Sequence, residues 1–432
     1  MKFPDSPSSA AELAEALVDQ LPSGADVVLP IANGEPVTLM DELEARAGRL
    51  DRVRVHQMHA LRERAYISGA HKGHLEYVAW FLSHVSRKAY HDGGCHFAPA
   101  NFSEVPRFLK AKRPAVVLAA ASPPDRHGYF TLGVSADYAA ALIGRVPFVL
   151  EVNPRMPRTM GTNRLHRSEV AAWFEAAPSE LVTIDDPDDV RPENKAIAAL
   201  VADRIPDHAT IQLGIGAIPS EVATLLADHK HLGVHTELLS NPVVDLVEAG
   251  AVTGTYKKTY RGRVVTTFAL GSQRLYDFCD DNDAVTFLAV DEVNDPRRIG
   301  REPNFISINA TLEVDLFGQC ASESIGARYW SGSGGQADFA RGAQYSDGGE
   351  GFLVLRSTTG GGAISRIVPR LSNGAVVTTM KNTVDNVVTE HGVAELAGRT
   401  LAERAEALIA VADPRHRESL SAEAHAMGLL RG

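Results

Sequence analysis

One glutamate and one glycine turn stand out as groups whose types and spacing could do chemistry. Glu237 ends the short stretch Gly233-Val234-His235-Thr236, and it follows the turn Gly214 to Pro219 by about one helix length. Glycines in such a turn let backbone amides approach a ligand closely, and amides can hold the oxyanion formed when a carboxylate attacks an acyl group. The pair predicts acyl transfer through a covalent glutamyl intermediate. Taken singly, each feature has a structural alternative: a tight strand–helix turn, and a surface or helix-capping glutamate.

The residues around this pair set its expected geometry. A helix predicted from Ser220 to Ala227 would direct its N-terminus, which favours negative charge, at whatever the turn binds. In a strand, His235 and Glu237 would share one face. A packed or hydrogen-bonded histidine is the more common case than a catalytic base.

Two further glycine loops are candidate anion sites. Residues 331–339 (SGSGGQADF) place three glycines around one serine, between aromatic neighbours, and can present consecutive N–H groups to an anion. Residues 358–366 (TTGGGAISR) form a glycine turn followed by a base and would suit a phosphate edge. A flexible surface loop and a plain hairpin turn are the respective alternatives.

Composition narrows the class of protein. The chain has 432 residues with a net charge of −11, which argues against nucleic acid as a partner. The three cysteines are widely separated and no metal-ligand spacing occurs, so we expect no metal site and a reducing, cytoplasmic location. No signal-peptide core or membrane-length apolar run is present, so no membrane association is expected.

Short apolar runs alternate with amphipathic segments along the chain. Predicted buried strands include 27–29, 115–119 and 148–152, and a helix is predicted over 11–21. This alternation predicts an α/β fold with mostly parallel sheets. The polar, proline-interrupted segment Asp185 to Pro192 is the predicted linker between domain 1–189 and domain 190–432.

The two predicted domains resemble each other. Residues 27–43 align without a gap to residues 210–226, both as strand, small-residue turn, proline and helix. Chance similarity is the alternative, and duplication is favoured. Met58 then stands where the second half has Glu237, so that only the second half would carry the nucleophile. Further along, residues 305–316 alternate strictly, which predicts an antiparallel or half-exposed strand, and residues 400–412 predict a closing amphipathic helix.

Several ordered strings resemble the acetyl-CoA hydrolase/transferase family of class I CoA-transferases, which includes 4-hydroxybutyrate, butyryl and succinyl:acetate CoA-transferases. They are GIGAIPSEVA (214–223), LGVHTELLS (232–240), VNDP (293–296), ISINATLEVDLFGQ (306–319) and SGSGGQADFARGA (331–343). The resemblance covers nearly the whole chain. It implies two related, open, mostly parallel α/β domains of the CoA-transferase (NagB/RpiA-like) type, with the active site at their interface and the acyl pocket in 1–189.

The same resemblance assigns roles to residues. Glu237 matches the family's nucleophile and Asn309 would orient it. The expected CoA-binding residues are Gly214, Ile215, Gly216, Ala217, Ile218, Pro219, Ser220, Leu312, Gly334 and Gly335. The loop at 358–363 lacks a lysine that some relatives use near CoA.

The implied activity is acyl-CoA:carboxylate CoA transfer through a glutamyl-CoA thioester, on short-chain acyl-CoAs such as acetyl-CoA or 4-hydroxybutyryl-CoA. CoA would be a substrate and covalent intermediate, with no tightly bound cofactor and no metal. An acetyl-CoA hydrolase using the same glutamate is the alternative, and a CoA-binding pseudoenzyme is a further one. The implied partners are acyl-CoA and a carboxylic acid, and the implied assembly is a homodimer or higher homo-oligomer.

Overall fold

A computed structural model describes residue 3 and residues 9–185, 191–214 and 216–431. The chain forms two compact units, Met1–Asp185 with Val265–Val293, and Asp186–Val264 with Asn294–Gly432. The boundary predicted at 189/190, and most of the predicted linker, lie outside the described residues. The division by role into 1–189 and 190–432 therefore stays a prediction.

Helices and short strands alternate through both units. The helices are α1 (Ala10–Gln20), α2 (Val37–Ala45), α3 (Ala65–Ser68), α4 (His84–His91), α5 (Val105–Lys112), α6 (Asp137–Ala140), α7 (Pro192–Ala202), α8 (Ala217–Leu225), α9 (Asn241–Glu248), α10 (Gln273–Cys279), α11 (Val290–Val293), α12 (Pro296–Ile299), α13 (Gln336–Tyr345), α14 (Leu401–Ala410) and α15 (Pro414–Ala426). The strands are β1 (Asp26–Val28), β2 (Val53–Gln57), β3 (Leu75–Ala79), β4 (His96–Phe97), β5 (Val116–Ala121), β6 (Tyr129–Thr131), β7 (Phe148–Val152), β8 (Met160–Gly161), β9 (Arg164–His166), β10 (Ala172–Glu175), β11 (Thr210–Leu213), β12 (Gly233–Val234), β13 (Leu238–Leu239), β14 (Val264–Thr266), β15 (Phe268–Ala269), β16 (Val285–Phe287), β17 (Phe305–Ala310), β18 (Glu313–Asp315), β19 (Cys320–Ala321), β20 (Ser324–Ile325), β21 (Arg328–Tyr329), β22 (Glu350–Val354), β23 (Thr358–Thr359), β24 (Ile364–Ser365), β25 (Ile367–Val368), β26 (Asn386–Thr389) and β27 (Gly392–Glu395). None of the described helices is long and apolar enough to cross a membrane.

Each unit is built around one open sheet. In the first unit the strand order is β10-β7-β5-β1-β2-β3-β4, with every pair parallel. In the second unit it is β12-β11-β17-β22-β26-β27, parallel except for the last hairpin. The run β2-β1-β5-β7-β10 in one sheet matches β12-β11-β17-β22-β26 in the other. This shared order confirms the predicted fold class of two related, mostly parallel α/β domains.

The prediction for residues 305–316 was wrong for residues 305–310 and holds for β18, which pairs antiparallel with β19. Residues 305–310 form β17, a central strand that pairs in parallel with β11 and β22 and is packed by α8 and α13. Its alternating polar positions are accommodated because Ser307 and Asn309 hydrogen-bond to Gln212 on β11. Periodicity alone does not distinguish a solvated polar face from one that is paired inside the sheet.

The chain end also differs from the prediction. The amphipathic helix predicted at 400–412 is α14, capped by Thr400 and Glu403, whose side chains complete a capping box. It does not close the fold, because α15 follows after Asp413, which caps the new helix through the Arg415 amide. Both helices pack on the apolar core of the second unit.

Candidate active site

Glu237 lies just beyond the carboxyl end of β12, the edge strand of the second unit's sheet. The sequence predicted a strand reaching Glu237, but β12 ends at Val234 and Glu237 occupies a bend before β13. Carboxyl ends of parallel strands meet at one edge of a sheet, where α/β enzymes place their sites. The chain therefore puts this carboxylate where chemistry is expected.

The two residues before Glu237 fix the bend. Thr236 is buried, and its hydroxyl lies 3.3 Å from the Leu213 carbonyl at the end of β11 and 3.1 Å from the Leu238 carbonyl. His235 is buried with its ring edge-on to Phe305 and Phe339. His235 is thus a packed histidine, the alternative to a catalytic base.

A buried lysine secures the strand that leads to Glu237. The Lys257 Nζ donates to the carbonyls of Val234 at 2.8 Å and Arg263 at 2.9 Å. Burial lowers the pKa of Lys257 to about 7. Its stem runs so close to Gly233 that a Cβ there would lie 2.6 Å from Lys257 Cγ. Glycine at 233 is required by this close approach.

The carboxyl group of Glu237 is enclosed but reachable. Asn294 Nδ2 donates to Glu237 Oε2 at 2.7 Å, and Gly335 packs so tightly that an added Cβ would lie 2.0 Å from the same oxygen. Gly335 caps α13, so the carboxyl meets a helix N-terminus, whose dipole favours negative charge. The residue as a whole stays half-buried, which leaves a face for a substrate.

The environment holds Glu237 in its neutral form near pH 7. Burial raises its pKa to about 8, the Asn294 hydrogen bond works against that rise, and the nearby charge of Asp338 adds to it. A carboxylate with so little water around it is a better nucleophile than a solvated one once it is ionised. A strongly perturbed group at a strand end is also a typical mark of a functional site.

The predicted glycine turn lies beside this carboxylate's strand, at the end of β11. The helix after it, α8, begins at Ala217 rather than Ser220, so Ile218, Pro219 and Ser220 belong to its first turns. Gly216 has φ +126°, a conformation that favours glycine. A Cβ added at Gly214 would lie 3.0 Å from both Asn309 Oδ1 and the Ile308 carbonyl oxygen, so the backbone there is closely packed. Ile215 lies outside the described residues.

Two asparagines bear on the predicted role of Asn309 in orienting Glu237: Asn309 itself and Asn294. The Asn309 amide hydrogen-bonds to Gln212 and Ser307 at 2.9–3.2 Å, which ties the ends of β17 and β11 together. Asn294 is the residue whose amide donates to Glu237. It was missed because a single asparagine before the Asp295-Pro296 helix start gives no signal of what it contacts. The predicted role of Asn309 in orienting the glutamate stays a prediction.

The other predicted CoA contacts are placed in the same unit. Leu312 is half-buried between β17 and β18, with its N–H bonded to the Ala321 carbonyl at 3.0 Å. Gly334 and Gly335 are buried at the N-terminus of α13, and Gly334 has φ +53°. The structure thus brings Gly335 to Glu237, while the contacts of these residues with CoA stay a prediction.

The glycine loop at 360–362 borders a separate cavity of about 450 Å³ at the same sheet edge. All three glycines have positive φ, which only glycine adopts readily. The cavity is also lined by three arginines and three acids, namely Arg191, Arg356, Arg415, Glu193, Glu390 and Asp413. Its loop follows β22, which is three strand spacings, about 14 Å, from β12, and Glu390 follows β26, which is four spacings, about 19 Å, from β12.

One first-unit residue expected in an acyl pocket has a structural role. Asn33 is buried, and its amide donates to the Val182 carbonyl at 3.0 Å and to the Tyr276 hydroxyl at 2.9 Å. Its oxygen accepts from the Val182 N–H at 2.9 Å. These three hydrogen bonds anchor the segment around residue 182.

Metal ligands are not grouped in the described part of the chain, where no cluster of three or more His, Cys, Asp or Glu side chains could hold an ion. The expectation of a metal-free site stays a prediction.

Comparison with known proteins gives matches over most of the chain. The family model for the acetyl-CoA hydrolase/transferase N-terminal domain matches residues 8–215, and that for the C-terminal domain matches residues 271–424. Succinyl-CoA:cyclohexane-1-carboxylate CoA transferase of Geobacter metallireducens is 45% identical over 94% of this chain and 92% of its own length. The 4-hydroxybutyrate coenzyme A transferase of Clostridium kluyveri is 41% identical over 95% and 96%. The crystal structure of RipA from Yersinia pestis matches with a TM-score of 0.89 and 36% identity, over 96% and 97% of the two chains.

Proposed function

Because the chain belongs to the acetyl-CoA hydrolase/transferase family, we propose that it is an acyl-CoA:carboxylate CoA-transferase with Glu237 as its nucleophile. The observation that carries the proposal is the Glu237 carboxyl itself, desolvated at a strand end, held by Asn294 and packed on the glycine that begins α13. The names of two relatives, a succinyl-CoA:cyclohexane-1-carboxylate CoA transferase and a 4-hydroxybutyrate coenzyme A transferase, each include a carboxylic acid, which supports a carboxylic acid as the second substrate. Short-chain acyl-CoAs such as acetyl-CoA and 4-hydroxybutyryl-CoA are the proposed donors.

The first half-reaction forms and then exchanges a glutamyl bond. An ionised Glu237 oxygen attacks the thioester carbon, the C–S bond breaks, and CoA leaves as a thiolate while a mixed anhydride forms. The thiolate then attacks the Glu237 carbonyl carbon, the anhydride C–O bond breaks, and the free carboxylate departs. A glutamyl-CoA thioester remains, and a second acid runs the same steps in reverse. No proton is gained or lost overall, and ping-pong kinetics follow.

Backbone amides next to Glu237 are the groups placed to stabilise the two oxyanions. The turn 214–220 and the N-terminus of α13 both lie at the sheet edge that carries Glu237. Preorganised amide donors aimed at a developing oxyanion typically contribute about 3 kcal/mol each. Asn294 donates to one Glu237 oxygen and thereby helps to fix the orientation of the carboxyl group.

The cavity beside the 360–362 loop is proposed to hold the anionic nucleotide end of CoA. It lies at the same edge of the sheet, about 14 to 19 Å along from Glu237's strand, a span that an extended pantetheine arm bridges. Arg191, Arg356 and Arg415 supply guanidinium groups where the sequence lacks a lysine. Binding there would contribute to the chemical step by holding the thioester against the carboxylate.

Hydrolysis is the rival function, since the family includes acetyl-CoA hydrolases by its description. Transfer requires that water be kept from the anhydride and the glutamyl thioester. A pseudoenzyme would bind CoA yet form no glutamyl adduct. The three possibilities differ in a single set of measurements.

The test is an acyl-CoA panel assayed with and without carboxylic acids. Acetyl-, butyryl-, succinyl- and 4-hydroxybutyryl-CoA are each mixed with acetate or 4-hydroxybutyrate, and new acyl-CoA is measured against free thiol. We expect acid-dependent exchange that exceeds thiol release, and a borohydride-reduced Glu237 peptide with a changed mass. Glu237→Gln should lose both, while the exposed control Glu406→Gln keeps both. Thiol release without exchange would establish a hydrolase, and full turnover by Glu237→Gln would refute the proposal.

A further inference from the structure

A second glutamate, Glu323, holds the glycine loop that touches the nucleophile. Its side chain is 2% exposed. One carboxylate oxygen, Oε1, accepts from the Ser333 hydroxyl at 3.1 Å and from the Thr378 hydroxyl at 3.0 Å. Within the part of the chain that the structure describes, no basic side chain pairs with it. Two hydroxyl groups thus donate to the same carboxyl oxygen. Burial disfavours the charged form of this carboxyl and raises the pKa of Glu323.

Glu323 also grips the start of the same loop through its backbone. Its carbonyl accepts from the Trp330 N–H at 2.7 Å and from the Ser331 N–H at 3.2 Å. Residues 330, 331 and 333 are therefore all tied to one residue. Ordering a glycine-rich loop costs much conformational entropy, and these hydrogen bonds offset that cost.

The loop delivers Gly335 to the nucleophile. After Ser333 the chain turns through Gly334, at φ +53°, and reaches Gly335, which lies in tight contact with Glu237 Oε2 and Asn294 Nδ2. Ser333 is only two residues from that contact. A shift of its hydroxyl moves the glycine backbone that packs on the carboxyl.

The far side of the loop is anchored by the strand segment next to Glu323. Gln336, the first residue of α13, donates to the Ser322 hydroxyl at 2.9 Å and to the Thr379 hydroxyl at 3.1 Å. Ser322 in turn donates to Thr311 Oγ1 at 2.9 Å. A continuous, partly buried network of hydrogen bonds thus holds the loop before, within and after its glycines.

We propose that Glu323 is a positioning residue for the reaction at Glu237, acting through Ser333 and the glycines that follow it. This inference rests on the proposed function, because it concerns the geometry of that same carboxyl. Glu323 does not touch the reacting atoms. It fixes the backbone that sets where the nucleophile's oxygen lies and where the amides at the start of α13 are directed.

Substitutions at Glu323 would weaken its hold on the loop in steps. A carboxylate oxygen accepts two hydroxyl hydrogen bonds more strongly than an amide oxygen does. Glutamine keeps the shape and one acceptor oxygen, so it should hold the loop partly. Alanine leaves Ser333 and Thr378 without their shared acceptor and frees the loop.

The experiment compares Glu323→Gln and Glu323→Ala with wild type and with Asp385→Ala. Asp385 is a suitable control because it is a half-buried carboxylate of the same unit. It accepts a backbone hydrogen bond from Gly351 at 3.1 Å, near the start of β26 and thus at the opposite sheet edge. The readouts are thermal midpoint, kcat and KM for acyl-CoA, and the single-turnover rate of the Glu237–CoA adduct.

For Glu323→Ala we expect a fall of about 100-fold in kcat and in adduct formation, the order of loss that a displacement of about 1 Å causes, with a smaller change in KM. Glu323→Gln should recover at least tenfold of that loss. Asp385→Ala should lose thermal stability but keep its rate per folded molecule.

Two results would overturn the inference. One is an adduct rate in Glu323→Ala equal to wild type, and the other is an equal fall in both alanine variants, which would mean a general loss of stability. If the wild-type enzyme forms no Glu237–CoA adduct, the proposed function itself is wrong, and this result differs from the two above because it needs no variant. The three outcomes are therefore separate.

Discussion

Replacing Glu237 with glutamine should stabilise the protein, and more so as the pH rises. Burial raises the pKa of Glu237 from 4.5 to about 8. The unfolded chain loses the proton above about pH 4.5, whereas the folded protein keeps it until about pH 8. Between these values the folded state holds more protons, so the carboxyl destabilises the fold progressively as pH rises through that window. Glutamine removes this term.

The magnitude follows from the same two values. Each tenfold change in proton affinity is worth about 1.4 kcal/mol, so ionising Glu237 costs about 5 kcal/mol more in the folded protein than in the unfolded chain. At pH 5 less than about 1 kcal/mol of this is incurred, and at pH 9 nearly all of it. The partial exposure of the residue makes the figure an upper bound.

The assay is the thermal midpoint of wild type and Glu237→Gln at pH 5.5, 7 and 9, with Glu406→Gln as a surface control. The gap between the first two should be small at pH 5.5 and should widen at each step toward pH 9. Adduct formation by wild type should rise over the same range, because the ionised carboxylate is the nucleophile. A gap that does not depend on pH would refute the reasoning, since it would mean that the carboxyl titrates near its ordinary value.

Three substitutions test the geometry around this carboxyl. Gly335→Ala places a Cβ 2.0 Å from Glu237 Oε2, so adduct formation should fall by about 100-fold or more with the fold intact by circular dichroism. Asn294→Ala removes the hydrogen bond that favours the ionised form, so the pH midpoint of adduct formation should move upward and kcat should fall about tenfold at pH 7. Arg356→Gln, in the cavity by the 360–362 loop, should raise KM for acyl-CoA about tenfold and leave turnover of an acyl-pantetheine unchanged. Equal effects on acyl-CoA and acyl-pantetheine would refute the proposal that this cavity binds the nucleotide of CoA.

Sequence patterns predicted the sheet architecture because local signals and long-range packing agree there. The run 116–121 is continuously apolar and the run 148–152 is apolar except for Glu151, and both become buried parallel strands. The gapless match of 27–43 with 210–226 corresponds to β1–α2 and β11–α8, which occupy equivalent places in the two sheets. The internal similarity is visible in the sequence because the repeated strand–turn–helix unit is one continuous segment of the chain.

The site could be predicted only where one segment carries both a chemical group and a backbone signal. Glu237 and the glycines at 214, 216, 334 and 335 meet that condition. Asn294 does not, because its contact with Glu237 spans 57 positions of sequence. Nor does Glu323, whose partners are ordinary hydroxyls and whose burial depends on the loop that it holds. Side chains that act by completing a tertiary contact leave no periodic trace.

The two units differ in the groups that surround the proposed nucleophile's position and its counterpart in the first unit. In the first unit the N-terminus of α2 is already occupied, because Glu151 accepts from the N–H groups of Thr38 at 3.2 Å and Leu39 at 2.8 Å. Asp137 likewise takes the Ile31 N–H at 3.0 Å.

Met58 stands at the position that aligns with Glu237, and its N–H bonds to the Tyr138 hydroxyl. Internal carboxylates thus accept from the N–H groups of Ile31, Thr38 and Leu39, so these three amides are not available to an oxyanion. In the second unit the aligned position carries the Glu237 carboxyl, in the bend that follows β12.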